Sequence, residues 1–295
     1  MGALAVGRVR AALLAAVAVV LLLAGTACGQ RSEPTGALVQ SYPVTAQGGG
    51  DRATVVRSAP KRIVPVGAGP TAVLEGLGLG KRVIKVNDTL VGLPLVGAIH
   101  HAKPDLIVAS SDTDPLDLAR ARSATGAAVY VEASNSLEDV VDAIGDIGFL
   151  TGKPVDARRL TARIEAQRQA VAKDVAGKPL VTAFVDTGGF STISSRSLLG
   201  SLIELAHGAS VAGTSPEQGP FPLSRLAQVD PDVYLATAGS GRTLHQLRRQ
   251  RALRKVKAVR TGRFAVLPAD ASVAGPGVGH ALQQIARILH SNASG

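Results

Sequence analysis

Apolar residues along this chain follow two rhythms. Short unbroken runs occur in RIVPV (62 to 66), KPDLIVASS (103 to 111), LVTAFV (180 to 185) and DPDVYLATA (230 to 238), each bounded by turn-forming or charged residues. Runs of that length without polar alternation predict strands covered on both faces, as in parallel sheets. Between the runs the apolar spacing lengthens to three and four. Leu137, Val140, Val141, Ile144 and Ile147 share one helical face behind a Ser136-x-x-Asp139 cap. After Thr151-Gly152-Lys153-Pro154, a second stripe of Leu160, Ile164, Val171 and Val175 predicts a helix over 155 to 176. At 1.5 Å per residue it spans roughly 33 Å, the width of a lobe, so it is expected to act as a stiff strut.

The pattern is duplicated. RIVPV leads to the apolar TAVLEGLGLG, and Pro104-Asp105 follows Gly80 by 24 residues; LVTAFV leads to SLLGSLIELAHG, and Pro231-Asp232 follows Gly208 by 23. Matched order and spacing predict an α/β fold of two lobes with largely parallel sheets, joined by a long connecting helix. The expected boundaries are 59 to 135 for the N-terminal lobe, 136 to 178 for the connector and 179 to 295 for the C-terminal lobe.

The first residues stand apart. Arg8 and Arg10 precede an apolar run from Ala11 to Ala24, followed by Gly25-Thr26-Ala27-Cys28. That run suits a secretory signal over 1 to 27 and falls short of the roughly 20 residues a spanning helix needs. Cys28, the only cysteine, has no partner for an internal disulfide. The segment resembles a bacterial lipoprotein signal, although Gly25 stands where such signals usually carry Leu. The resemblance implies lipidation of Cys28 and anchoring to the cell membrane from the extracytoplasmic side. Residues 28 to 58, rich in Gly, Ser, Thr and Gln, are expected to form the lipidated cysteine and a flexible tether.

Charge narrows the choice of partners. Removal of Arg8 and Arg10, with no acid lost, takes the net charge from +10 to +8, which favours anionic partners. Export and an aromatic content of 3% without Trp argue against nucleic acid. From Arg242 to Arg263 there are nine Lys or Arg and no acid, read as an amphipathic helix with Leu244, Leu247, Leu253 and Val256 on its apolar side.

Local motifs for catalysis are weak. Gly67-x-Gly69-x-x-Ala72, with Asp88 some twenty residues on, imitates a dinucleotide-binding turn. Against it stand Pro65, in a strand that such a fold makes central, and the short following helix. No G-x-S-x-G occurs, and His100 and His101 are adjacent, so they point apart on a helix or a strand. One of the two is a candidate for the mouth of a cleft. No resident cofactor, no dedicated metal site and no enzyme activity are expected.

RIVPVGAGPTAVLEGLGLGKRVIKVND, AKPDLIVASS, the 136 to 179 connector, VDPDVYLATA and ALRKVKAVRTGRFAVLP together resemble, in order, the substrate-binding proteins of ABC importers for iron–siderophores, haem and cobalamin. The resemblance covers residues 60 to 290 and implies a monomer that holds its ligand between the lobes and delivers it to a membrane permease. Loops matched to that cleft give Thr71, Asn87, Ser111, Asp112, Phe190, Arg196, Phe221 and Arg242 as candidate ligand contacts. Arg196 and Arg242 are expected to supply charge for an anionic ligand, and Phe190 and Phe221 apolar faces. Members of that family dock through an exposed Glu in the turn before each Pro-Asp strand. Here those turns read VGAIHHAKPD and PLSRLAQVDPD, with no acid before Asp105 and only Asp230 before the second pair. Two alternatives therefore stand beside import: a non-transporting envelope scaffold on the same fold, and a dinucleotide enzyme.

Overall fold

The computed structural model describes residues 40–87, 89–213 and 220–291. The signal segment, Cys28 and the first part of the tether lie outside them, as does Asp88. Two parallel sheets form. The first has the order β3-β4-β5, from Ile63–Val66, Leu106–Ala109 and Ala128–Val131. The second runs β7-β6-β8-β9, from Gly208–Ser210, Val181–Asp186, Val233–Thr237 and Phe264–Leu267. β3 and β4 are buried at every position, as the unbroken apolar runs require. Pro65 is tolerated because β3 lies at the end of its sheet, with a single bridge from Ile63 to Val83 on its outer side.

The repeated Pro-Asp has a structural cause. The Asp105 carboxylate accepts the backbone N–H of Lys61 at 2.7 Å and of Arg62 at 3.1 Å, just ahead of β3. Asp232 does the same in the other lobe, accepting the N–H of Thr182 at 2.9 Å and its hydroxyl at 2.8 Å. Each carboxylate thus ties the start of its own strand to the neighbouring strand, and the proline cannot donate to a ladder at the position where none is needed.

Helices α1 (Ala68–Gly76), α2 (Gly92–Ala102) and α3 (Pro115–Thr125) belong to the N-terminal sheet. The connector is two helices, α4 (Leu137–Thr151) and α5 (Pro154–Val175), broken at Gly152 in the left-handed conformation. Ser136 and Asp139 form the reciprocal cap at the start of α4. Close approach of α4 to α5 depends on Gly148, where a Cβ would lie 2.3 Å from that of Ala157. The C-terminal lobe carries α6 (Leu198–Leu205), α7 (Leu223–Val229), α8 (Leu244–Arg249), α9 (Lys257–Arg260) and α10 (Val278–His290). One continuous core joins Val73, Leu106 and Tyr130 through Ile147 and Ile164 to Val185, Leu235 and Leu282.

Two expectations are corrected. Residues 40–58 are not a tether: β1 (Val44–Ala46) and β2 (Thr54–Val56) form an antiparallel hairpin, burying Val44, Ala46, Thr54 and Val56. The Thr54 hydroxyl donates to the Val129 carbonyl at 2.7 Å and Tyr42 to that of Leu150 at 3.2 Å. The basic stretch from Arg242 is not one helix. It breaks at Gln250, in an extended conformation, so that Leu247, Leu253 and Val256 all reach one core cluster. Among the described residues no helix is long and apolar enough to cross a membrane.

Replacing Asp232 with Ala strips an acceptor from Thr182 and Lys257. Loss of about 1 to 3 kcal/mol of stability is expected in urea unfolding. An unchanged midpoint would mean that the clamp does not hold β6.

Candidate functional site

The carboxyl ends of six strands face one region. A cavity of about 510 Å³ is lined by Ser134 and Asn135 after β5, Thr187 after β6, Ala238 and Gly239 after β8, and Pro268 to Ser272 after β9. Ile193, Ser197 and Leu198 close its side. A second cavity, about 330 Å³, is formed by Gly67 to Gly69 after β3, Ser110 to Asp112 after β4, and Glu132 and Ser134 after β5. Ser134 and Ser272 border both, so the two are halves of one cleft between the lobes. Ligands of open α/β sheets occupy this position, beyond the strand ends.

Of the candidates from sequence, Ser111 and Asp112 line the N-terminal half of the cleft, and the Ser111 hydroxyl lies 2.7 Å from that of Ser134. Thr71 spends its hydroxyl on the Gly67 carbonyl at 2.9 Å. Asn87 is exposed and accepts from Thr89, outside both halves. Arg196 is exposed and immediately precedes Ser197. Phe221 does not present a face to the cleft. It is 1% exposed, packed 5.4 Å from Phe184, because the loop after residue 219 turns its ring into the core. His100 and His101 end α2 just ahead of β4, at the sheet edge opposite the cleft. Among the described residues no group of three metal ligands occurs.

Arg242 is placed beside the cleft but is already engaged. Its Nε donates to Asp186 Oδ2 at 2.9 Å, and its guanidinium stacks 4.1 Å from the Phe190 ring centre. Asp186 is fully buried and also accepts from Tyr234 at 2.6 Å, from the Gly188 N–H at 2.8 Å and from the Phe190 N–H at 3.1 Å. Burial, then the bond to Asp186, raises the Tyr234 phenol above its ordinary range. The four donors fold the 187 to 191 loop into a fixed wall, with Phe190 at a positive φ of 67°. Arg242 and Phe190 are therefore parts of that wall, with the guanidinium charge matched by Asp186.

Sequence reading missed Glu132. In VYVEASN it looks like an ordinary polar residue after a strand, yet it is 1% exposed, and neither carboxyl oxygen has a hydrogen-bond partner. Only glycine fits at 69, because a Cβ there would lie 2.3 Å from Glu132 Oε1 and 2.8 Å from the Ala274 carbonyl. Burial, helped by the charge of Asp112, pushes the Glu132 carboxyl up to about 8. The glycine that a dinucleotide fold reserves for pyrophosphate is here occupied by a carboxyl group, which argues against phosphate at that turn.

Two lobes of parallel sheet, a helical connector and a cleft at the strand ends define a ligand-capturing α/β protein. A model of the periplasmic binding protein family matches residues 64–271, and the chain belongs to that family. The cobalamin-binding protein of Halobacterium salinarum is 26% identical over 225 residues, which are 68% of this chain and 60% of that protein. The chain thus spans about three fifths of that relative's length. Among solved structures, Helicobacter pylori CeuE in a nickel–histidine complex superposes with TM-score 0.73 at 13% identity, covering 84% of this chain and 89% of its own. The petrobactin-binding protein YclQ of Bacillus subtilis gives 0.67 at 17%, covering 85% and 100%. The haem-binding protein RhuT of Roseiflexus sp. RS-1 gives 0.67 at 20%, covering 79% and 98%. These likenesses establish the fold.

Because the folded Glu132 holds its proton to higher pH than the unfolded chain, its contribution to stability is complete below about 4.5 and is lost as pH rises towards about 8. Glu132→Gln is expected to flatten the decline of Tm across that window, read by scanning calorimetry. A wild-type slope in the variant would assign the effect to another group.

Proposed function

We propose that this chain is the extracytoplasmic capture component of an ABC importer, holding a scarce metal-bearing ligand in the cleft and handing it to a membrane permease without making or breaking a bond. The observation that carries the reading is the convergence of six strand ends on one cleft spanning both lobes, within a family of binding proteins. Cobalamin is the ligand best supported, with an iron–siderophore or haem as alternatives. The cobalamin-binding relative points that way. So does the chemistry of the walls, which offer hydroxyls, backbone and two carboxyl groups, while the charge of Arg242 is matched by Asp186. Such walls suit a neutral or cationic ligand better than the anionic one suggested by net charge.

Titrating the mature protein with cyanocobalamin, haemin and ferric siderophores, followed by thermal shift, is expected to give a rise of several degrees with one of them. No rise with any would refute ligand capture and leave the scaffold reading.

We further propose that a lipid on Cys28 anchors the protein, as the signal-like segment suggests. Cys28→Ser is then expected to move the protein from the membrane fraction to the soluble fraction, read by immunoblot. Retention of the variant in the membrane fraction would rule the anchor out.

A further inference from the structure

We propose that Glu132 and Asp112, with the hydroxyls of Ser110, Ser111, Ser134 and Ser272, form a subsite that takes a nitrogen group carrying two or more hydrogens on the captured ligand, a primary carboxamide or an ammonium. This deepens the capture reading and rests on it. Three independent features converge. First, the Glu132 side chain is buried to 1% exposure, and both oxygens lack partners, the costliest state for a carboxyl group unless something arrives to pair with it. Second, it borders the N-terminal half of the cleft, where Asp112 and the Ala274 carbonyl offer acceptors and the four serine hydroxyls can accept as well as donate. Third, room for the carboxyl exists only because residue 69 has no side chain. A wall of acceptors with one buried carboxyl selects a group rich in donors and rejects carboxylates.

No bond of the carboxyl accounts for its burial. The bond Glu132 does make, from its N–H to the Ala109 carbonyl at 2.9 Å, extends the sheet and would form with any residue but proline. The proton that Glu132 retains near neutral pH makes the unfilled subsite tolerable. A carboxamide can meet the protonated group with two reciprocal hydrogen bonds, its oxygen accepting from the carboxyl O–H and its N–H donating to the other carboxyl oxygen. An ammonium instead displaces the proton to solvent, leaving a charge-assisted pair.

The test uses the whole mature protein with three probes: cyanocobalamin, which presents primary carboxamides; ferrioxamine B, which presents an ammonium; and haemin, whose peripheral polar groups are carboxylates. Calorimetric titration is run on wild type, Glu132→Gln and Glu132→Ala. The subsite predicts that wild type prefers a nitrogen-bearing probe and that Glu132→Ala weakens that probe by on the order of tenfold or more, with Gln intermediate. It also predicts that both variants are at least as heat-stable as wild type without ligand. Proton release, read in buffers of different ionisation enthalpy, identifies the ammonium; its absence identifies the carboxamide. Variants that bind within twofold of wild type, or a wild type that prefers haemin, would overturn the subsite.

Failure of the capture reading looks different, as silence of wild type towards all three probes. In that event the Glu132 carboxyl resonance of ¹³C-labelled protein is titrated with acetamide and ethylammonium. Movement that is absent with acetate supports the subsite, and a fixed resonance overturns it.

Discussion

The constraint on which the molecule depends is that its two sheets share one hydrophobic core. Apolar side chains run without interruption from Val73 and Leu106, through Ile147 and Ile164 of the connector, to Leu235 and Leu282. Since such interiors are packed to the density of organic crystals, the lobes cannot slide on one another without opening voids along the connector. The close contact of Gly148 with Ala157 fixes the angle between the connector helices, and α10 packs along α5 from the other lobe. The carboxyl ends of both sheets are thereby held towards one another, and the cleft is a consequence of how the core is filled. Closure of such a cleft has to be small, or has to come from the loops.

Those loops divide the work unequally. On the C-terminal side, Asp186 gathers Tyr234, Arg242 and two backbone donors, so that buried carboxylate is fully matched. On the N-terminal side, Glu132 is unmatched. A saturated network makes a rigid wall, whereas an unsaturated one leaves bonding capacity for a visitor. Charge is distributed unequally as well: the basic residues of 242 to 263 sit mostly on the outer surface, whereas Asp112 and Glu132 line the N-terminal half of the cleft.

The sequence was most legible where burial speaks through uninterrupted apolar runs. KPDLIVASS and DPDVYLATA are equivalent strands, and the duplicated Asp is legible as a clamp once the strands are paired. The connector was equally plain because cap, stripe and Gly-Lys-Pro break coincide. What stayed hidden were features set by distant partners. The hairpin strands are three residues each, too short to show alternation, and their apolar face is defined by β5 and α4. Phe221 and Arg242 sit in the loops that sequence assigned, but loop membership does not fix side-chain direction. One ring turned inward, and one guanidinium was claimed by a carboxylate 56 residues away. Glu132 was invisible because the room for its carboxyl depends on Gly69, remote in sequence.

The hairpin of β1 and β2 has a mechanical consequence. Whatever pulls on the chain from its N-terminal side meets first the Tyr42 bond to Leu150 and the Val44 to Val56 pairing, and these bear on α4 and β5 near the junction of lobe and connector. Load entering there passes into the connector and the far edge of the N-terminal sheet, and bypasses the strand ends that line the cleft.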